Sequence, residues 1–232
     1  MSASSYQMSS ADLSREGVTP YVIEKILSSP RRMASGPRVA AIGGYPCIGK
    51  TSLAFEVAQT WDGLSYVLPT ESAITSRSDR LATGLDGSSV ESHDMSALMI
   101  SIRAIREQRC LDLPKYSWSI GGFAGTERVP VLGERDVLIV DGSVATTSAV
   151  LGEVDVAFGL QPDQLDAWMS IAVARDVAER NWDRVMAEEQ NRFKDRTVAM
   201  QLAAFGHRRR EYLLTVSVND RINWTVHPVA RA

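Results

Sequence analysis

Residues Gly44-Tyr45-Pro46-Cys47-Ile48-Gly49-Lys50-Thr51 fit the pattern G-x-x-x-x-G-K-[ST], and their surroundings restrict the fold more than any other stretch of the chain. Before them, the apolar run from Arg38 to Gly43 is bounded by proline and glycine and predicts a buried parallel strand. After them, Leu53, Ala54, Val57, Ala58 and Trp61 recur at helical spacing. A glycine-bearing loop between strand and helix lets backbone N–H groups turn inward around a phosphate, at a helix N-terminus whose dipole favours anions. Lys50 adds a mobile cation for the β- and γ-phosphates, and the Thr51 hydroxyl is a ligand for the bridging magnesium ion. ATP and Mg2+ are the expected cofactors. The binding candidates are Gly44, Tyr45, Pro46, Cys47, Ile48, Gly49, Lys50, Thr51 and Ser52.

The remaining pattern alternates between strand and helix. Thr19 and Pro20 read as the cap and first residue of a short helix through Leu27, following a Ser- and Met-rich tail. Leu64 to Leu68 reads as a second strand, Glu71 to Ser92 mostly as loop, and Met95 to Arg109 as a helix with Leu98, Ile102 and Ile105 on one face. An irregular region with room for short strands precedes the strongly apolar Val137–Val140, which ends at Asp141-Gly142. Val154 to Leu160 reads as a further strand, Gln164 to about Gln190 as a long helix or helix pair, and Ile222 to Val226 as a last strand. Crossovers of this length imply a three-layer α/β fold, a mostly parallel sheet with helices on both faces, whose ligands bind at the carboxyl ends of the strands. A tail and helix occupy residues 1–36 in this reading, and the phosphate-binding domain occupies 37–232.

From about residue 38 to 180 the chain resembles the uridine kinase, phosphoribulokinase and bacterial pantothenate kinase group of P-loop kinases. The resemblance implies a P-loop NTPase fold with a mobile lid and a hydroxyl-bearing small molecule as phosphoryl acceptor. Glu71 stands where that family has an acidic residue, usually Asp, facing the acceptor hydroxyl as base. Glu91-Ser92-His93-Asp94 resembles the segment that opens a helix over the acceptor pocket, so His93 and Asp94 are substrate candidates; a helix cap is the alternative for Asp94. Pro114-Lys115-Tyr116 matches a family segment, although Ser117 replaces its usual Asp. Tyr116, Trp118 and Phe123 either line an acceptor pocket or pack in the core, and Arg128 completes the acceptor candidates of an insert at about 71–135. Asp141 matches the Walker B position and would hold magnesium, a strand-terminal turn being the alternative. Arg175-Asp176 followed by Arg180 resembles the lid motif, with Arg175 catalytic and Arg180 on the nucleotide, in a lid at about 175–196. A solvated amphipathic helix explains the same charges.

Composition limits the alternatives. A net charge of −3 over 232 residues supplies no global basic field for a nucleic-acid backbone. Cys47 and Cys110 are the only cysteines, and the three histidines lack close metal-ligand spacing, so no metal beyond magnesium is expected. The basic run His207-Arg208-Arg209-Arg210 reads as a helix end before it reads as a site. No apolar stretch has the length of a membrane span, and a reducing cytoplasm with a small-molecule partner is the expected setting; a homodimer is left open. The chain lacks N-K-x-D and D-x-x-G segments, which argues against a GTPase switch. A small-molecule kinase is the leading reading, ahead of a nucleotide-dependent switch and of a toxin-like kinase acting on a nucleotide sugar.

Overall fold

A computed structural model describes residues 15–180, 182–205, 210–218 and 226–228. The chain opens with α1 (Arg15–Ser28), β1 (Arg38–Gly44), α2 (Lys50–Thr60) and β2 (Ser65–Pro69). Then follow α3 (Arg77–Thr83), α4 (Met95–Arg106) and the hairpin of β3 (Leu111–Ser117) and β4 (Gly122–Val129). The second half holds β5 (Val137–Asp141), α5 (Ser148–Leu151), β6 (Val156–Pro162), α6 (Leu165–Arg180), α7 (Arg184–Ala203), β7 (Glu211–Val216) and β8 (Val226–Pro228).

The sheet order is β2-β5-β1-β6-β7-β8, parallel throughout except for β8, and β3-β4 form a separate antiparallel ribbon. The central strands are buried on both sides, which is why β1 and β5 read as unbroken apolar runs. Consecutive residues of β6 show what covers each face. Phe158 stacks on Tyr212, whose ring meets Tyr21 of α1 edge-on, whereas a side chain at Gly159 would strike Leu202 and Phe205 at the end of α7. Helices therefore cover both faces, as the sequence implies.

Four local expectations are corrected. The first helix starts at Arg15, not Thr19: burial of Val18, Val22 and Ile26 on one face outweighs the bond that the exposed Pro20 removes, and the Thr19 hydroxyl donates to Glu56 Oε2 at 3.2 Å. The stretch 71–92 contains α3, capped by the Ser76 hydroxyl, which accepts from Asp79 N, and closed by Gly84 in the left-handed region. The region after α4, expected as irregular with room for short strands, is a hairpin whose register shifts between Pro114 and Tyr116. The strand Glu211–Val216 has no counterpart in the sequence reading; the run expected at 222–226 lies outside the described residues except for Val226, which opens β8. Gln164 to Gln190 resolves as a helix pair, the second member running on to Ala203. The His207–Arg209 part of the basic run lies outside the described residues. Among the described residues, no helix is long and apolar enough to cross a membrane.

Candidate active site

Parallel register brings the ends of β1, β2 and β5 together: Ile42 and Pro69 both pair with Asp141. The loop after β1 begins with Gly44 at φ 115°, where a Cβ would lie 2.1 Å from the Leu160 carbonyl oxygen, so only glycine lets β1 leave the sheet beside β6. Cys47 at φ 60° and Gly49 at φ 82° complete a wrap that aims the loop over the start of α2. The loop is braced from behind: the Trp168 indole donates to the Pro46 carbonyl at 2.7 Å and meets the Tyr45 ring edge-on, and the Tyr45 hydroxyl donates to Asp195 at 2.8 Å. Helices α6 and α7 are thereby fastened to the loop.

Lys50 is buried, and its ammonium donates to the Tyr45 carbonyl at 2.6 Å. Burial lowers its proton affinity, and Asp141 opposes that shift. The Thr51 hydroxyl donates to Asp141 Oδ2 at 2.7 Å, while Asp141 Oδ1 is buried without a partner. Burial raises the Asp141 carboxyl above its usual range, with Lys50 and Thr51 pulling the other way. Glu71 lies in the turn directly after β2 and faces the same cleft as Lys50 and Thr51. Burial first, and the Asp141 charge second, push it up to about 7.

The cleft has a volume of about 490 Å³. Its far wall is cationic. Asp176, fully buried, accepts from Lys194 at 2.7 Å and from Asn191 and Arg175 at 3.0 Å, and forms an ion pair with Arg180 at 3.4 Å. Burial pushes this carboxyl up, but the three cations outweigh it and hold it below its usual range. Residues five apart on a helix diverge in direction, yet Arg175 and Arg180 both line the cleft, because Arg180 ends α6 and Asp176 draws both guanidinium groups to one point. Arg180 also lies between Trp118 and Trp182, 4.9 and 5.1 Å from their ring centres.

Lys50, Glu71, Arg175, Arg180, Trp118, Pro46, Cys47, Gly49, Thr51 and Ser52 thus meet in one cleft. The other candidates do not line it. Gly44 forms the stem of the loop, Tyr45 and Ile48 are buried beneath it, and Asp141 stands behind Thr51. Asp94 is an exposed cap that accepts from Ala97 N at 2.9 Å, the alternative the sequence left open. His93 is buried with Nδ1 at 3.0 Å from the Ser89 carbonyl, and burial lowers it to about 4. Tyr116 backs the cleft wall, packing edge-on against Trp118 and Phe123. Arg128 is exposed on β4 and pairs with Asp112 at 3.0 Å.

Sequence reasoning missed Arg77, Arg80, Asp86, Glu179, Trp182 and Lys194, all of which line the cleft. The capping pattern Ser76-Arg77-Ser78-Asp79 was a signal that could have found α3 and its two arginines. Asp86 is buried, and its Oδ2 has no partner, so it is a ready acceptor for a donor in the cleft. Among the described residues, no group of three His, Cys, Asp or Glu could hold a metal by itself.

No family model matches the chain, and no curated protein matches its sequence. Solved structures do share its fold. A candidate fructose transport system kinase from a Silicibacter species superposes with a TM-score of 0.65 at 16% identity, covering 80% of this chain and 94% of its own. D-glycerate 3-kinase from Cryptococcus neoformans gives 0.61 at 12% identity over 92% and 98% of the two chains. Phosphoribulokinase from Rhodobacter spheroides gives 0.55 at 12% identity over 78% and 70%. At these identities the likeness establishes the fold that the sequence implied, a P-loop α/β sheet shared with small-molecule kinases.

Proposed function

We propose that this chain is a small-molecule kinase that moves the γ-phosphoryl group of ATP to a hydroxyl of its acceptor. The observation that carries the reading is the meeting of Lys50, the Thr51–Asp141 pair and Glu71 at one end of the sheet. A nucleotide switch has no use for a carboxylate placed opposite the loop and holding its proton up to about pH 7.

The residues fit a magnesium ion: Asp141 Oδ1 is a buried acceptor without a donor, and the Thr51 hydroxyl stands next to the other oxygen. Thr51 and Asp141 would hold the ion, which supplies charge neutralisation to the transferring phosphoryl group. The loop's N–H groups and Lys50 bind the phosphates. Lys50 exchanges its contact with the Tyr45 carbonyl for phosphate oxygens, and Arg175 adds positive charge from the opposite wall. Glu71 accepts the proton of the acceptor hydroxyl as that oxygen attacks, and its raised proton affinity matches it to work near neutral pH. Trp118 and Trp182 hold the Arg180 guanidinium against their rings at the cleft wall. In this reading residues 71–135 form the acceptor-binding segment, and 175–196 the lid.

The test is ATP consumption with magnesium over a panel of hydroxyl-bearing metabolites. Acceptor-dependent turnover that disappears in Lys50→Ala is expected. Nucleotide binding without turnover on any acceptor would favour the switch.

A further inference from the structure

The reading above leaves two buried or half-buried arginines without a task. Arg80 on α3 is buried, and its hydrogen bonds go only to neutral groups: it donates to the Thr75 carbonyl and to the Tyr116 hydroxyl, the latter at 3.1 Å, while the Asp86 carboxylate acts on it through charge without a direct bond. Arg77, one turn earlier, donates to the Trp118 carbonyl. Neither forms an ion pair among the described residues, although both line the cleft. A buried guanidinium with no anion bonded to its fork is held at a cost, and that fork matches a planar carboxylate or a phosphate in two parallel bonds.

Arg77 and Arg80 are not needed to balance the rest of the cleft. Asp176 already serves Arg175, Arg180 and Lys194, which leaves that wall positive. The nucleotide site has its own cation in Lys50. The two arginines enter from the segment that follows Glu71, on the acceptor side, with the partnerless Asp86 Oδ2 in the same stretch.

We infer that the acceptor is an anionic polyol: it carries an oxyanion, carboxylate or phosphate, gripped by Arg77 and Arg80, and a further hydroxyl that donates to Asp86. This inference rests on the kinase reading. It excludes neutral nucleosides and neutral sugars as preferred acceptors, since these would leave two guanidinium forks in the cleft without a bonded anion.

The experiment uses the full chain saturated with magnesium and a non-hydrolysable ATP analogue, so that the P-loop is filled. Inorganic phosphate and malonate are then titrated by calorimetry, one arm for each oxyanion. Binding in at least one arm, weakened about tenfold or more in Arg77→Gln with the affinity for the analogue unchanged, is expected. Arg80→Lys, which keeps the charge and loses the fork, should weaken the same arm, and its melting temperature without ligand reports whether it folds. No oxyanion binding to the filled protein overturns the inference, as does binding that Arg77→Gln leaves intact. An equal loss of analogue affinity would overturn it too, by assigning Arg77 to the nucleotide. If the analogue itself fails to bind, the kinase reading falls first, and the two failures are told apart. In a parallel turnover assay, glycerate against glycerol and ribose 5-phosphate against ribose separate carboxylate from phosphate, and preference for a neutral member counts against the inference.

Discussion

Two aspartates buried to a similar degree stand at opposite ends of the parallel sheet. Asp155, 1% exposed and just before β6, has both oxygens engaged: Oδ1 accepts from Arg32 N and Arg106, and Oδ2 from Val39 N, at 2.7, 2.9 and 2.8 Å. Asp141, 3% exposed at the end of β5, has one oxygen engaged and one idle. A carboxylate whose lone pairs are filled by its own chain is a fastener, and here it ties the amino end of β1 to α4 and to the 30–38 connection. A carboxylate with an idle oxygen is held at a cost, and that cost is explained by what binds there. The carboxyl end repeats the pattern with the idle Oδ2 of Asp86.

The sharpest break between the two ends comes from Glu71→Gln. Loss of a positioned general base should reduce transfer by about 10² to 10⁴. Nucleotide affinity, measured by titration, should stay within about twofold, because the side chain is not a phosphate ligand. Equal losses in both would remove Glu71 from the role of base.

At the other end, Asp155→Ala should cost about 3–5 kcal/mol of stability by leaving Arg106 buried without its partner. Denaturant unfolding measures this, and turnover per folded molecule should not change. Asp141→Asn is the inverse case. Without ligand its stability should stay within about 1 kcal/mol of the parent, since a costly buried charge is removed. The magnesium concentration for half-maximal activity should rise about tenfold or more. A stability loss as large as that of Asp155→Ala would abolish the distinction.

The Glu71 shift also sets a pH dependence. The base must be ionised, so kcat/KM should climb about tenfold per pH unit below about 7 and level off above it. The folded state binds the proton more tightly than the unfolded chain, so the Glu71 contribution to stability falls as pH rises from about 4.5 to about 7. Glu71→Gln should flatten both profiles, and at pH 8 the ligand-free variant should be about 1–3 kcal/mol more stable than the parent. A pH profile that Glu71→Gln leaves unchanged would reassign the titration.

The sequence made one end of this comparison far easier to see than the other. Lys50, Thr51 and Asp141 announce themselves because a short glycine loop and an apolar strand fix their positions locally, within a few residues of a recognisable pattern. Asp94 was left between two readings because a helix cap and a ligand contact use the same residue at the same helix end, and the structure shows the cap. The Ser76 cap could have placed Arg77 and Arg80 on a helix, but that this seven-residue helix, and Lys194 on α7, face the cleft is a matter of tertiary placement that no local spacing encodes. Asp155 was invisible for the same reason: its donors lie 123, 116 and 49 residues away in sequence. The strand Glu211–Val216 is short, and the basic run His207–Arg210 separates it from Gly206, the nearest turn residue before it in the sequence.

The smallest expected effect concerns the brace behind the phosphate loop. Tyr45 is part of the nucleotide-binding pattern, yet its ring is buried, and its hydroxyl is committed to Asp195 on α7. Burial, with Asp195 beside it, keeps that phenol protonated well above its ordinary range, so the bond persists across the pH range of any assay. Tyr45→Phe keeps the ring contact with Trp168 and removes only the hydroxyl. The loss should be about 0.5–1.5 kcal/mol of stability in denaturant unfolding. If the brace only stabilises the fold, KM for ATP is unchanged. Because Pro46, next in sequence, is gripped by Trp168 of α6 while Tyr45 is gripped by α7, the loop is held between the two helices that carry Arg175 and Lys194. Loosening one grip should therefore raise KM for ATP severalfold with little change in kcat. That split would place this hydrogen bond with the idle-oxygen end of the molecule and not with the fastener at Asp155.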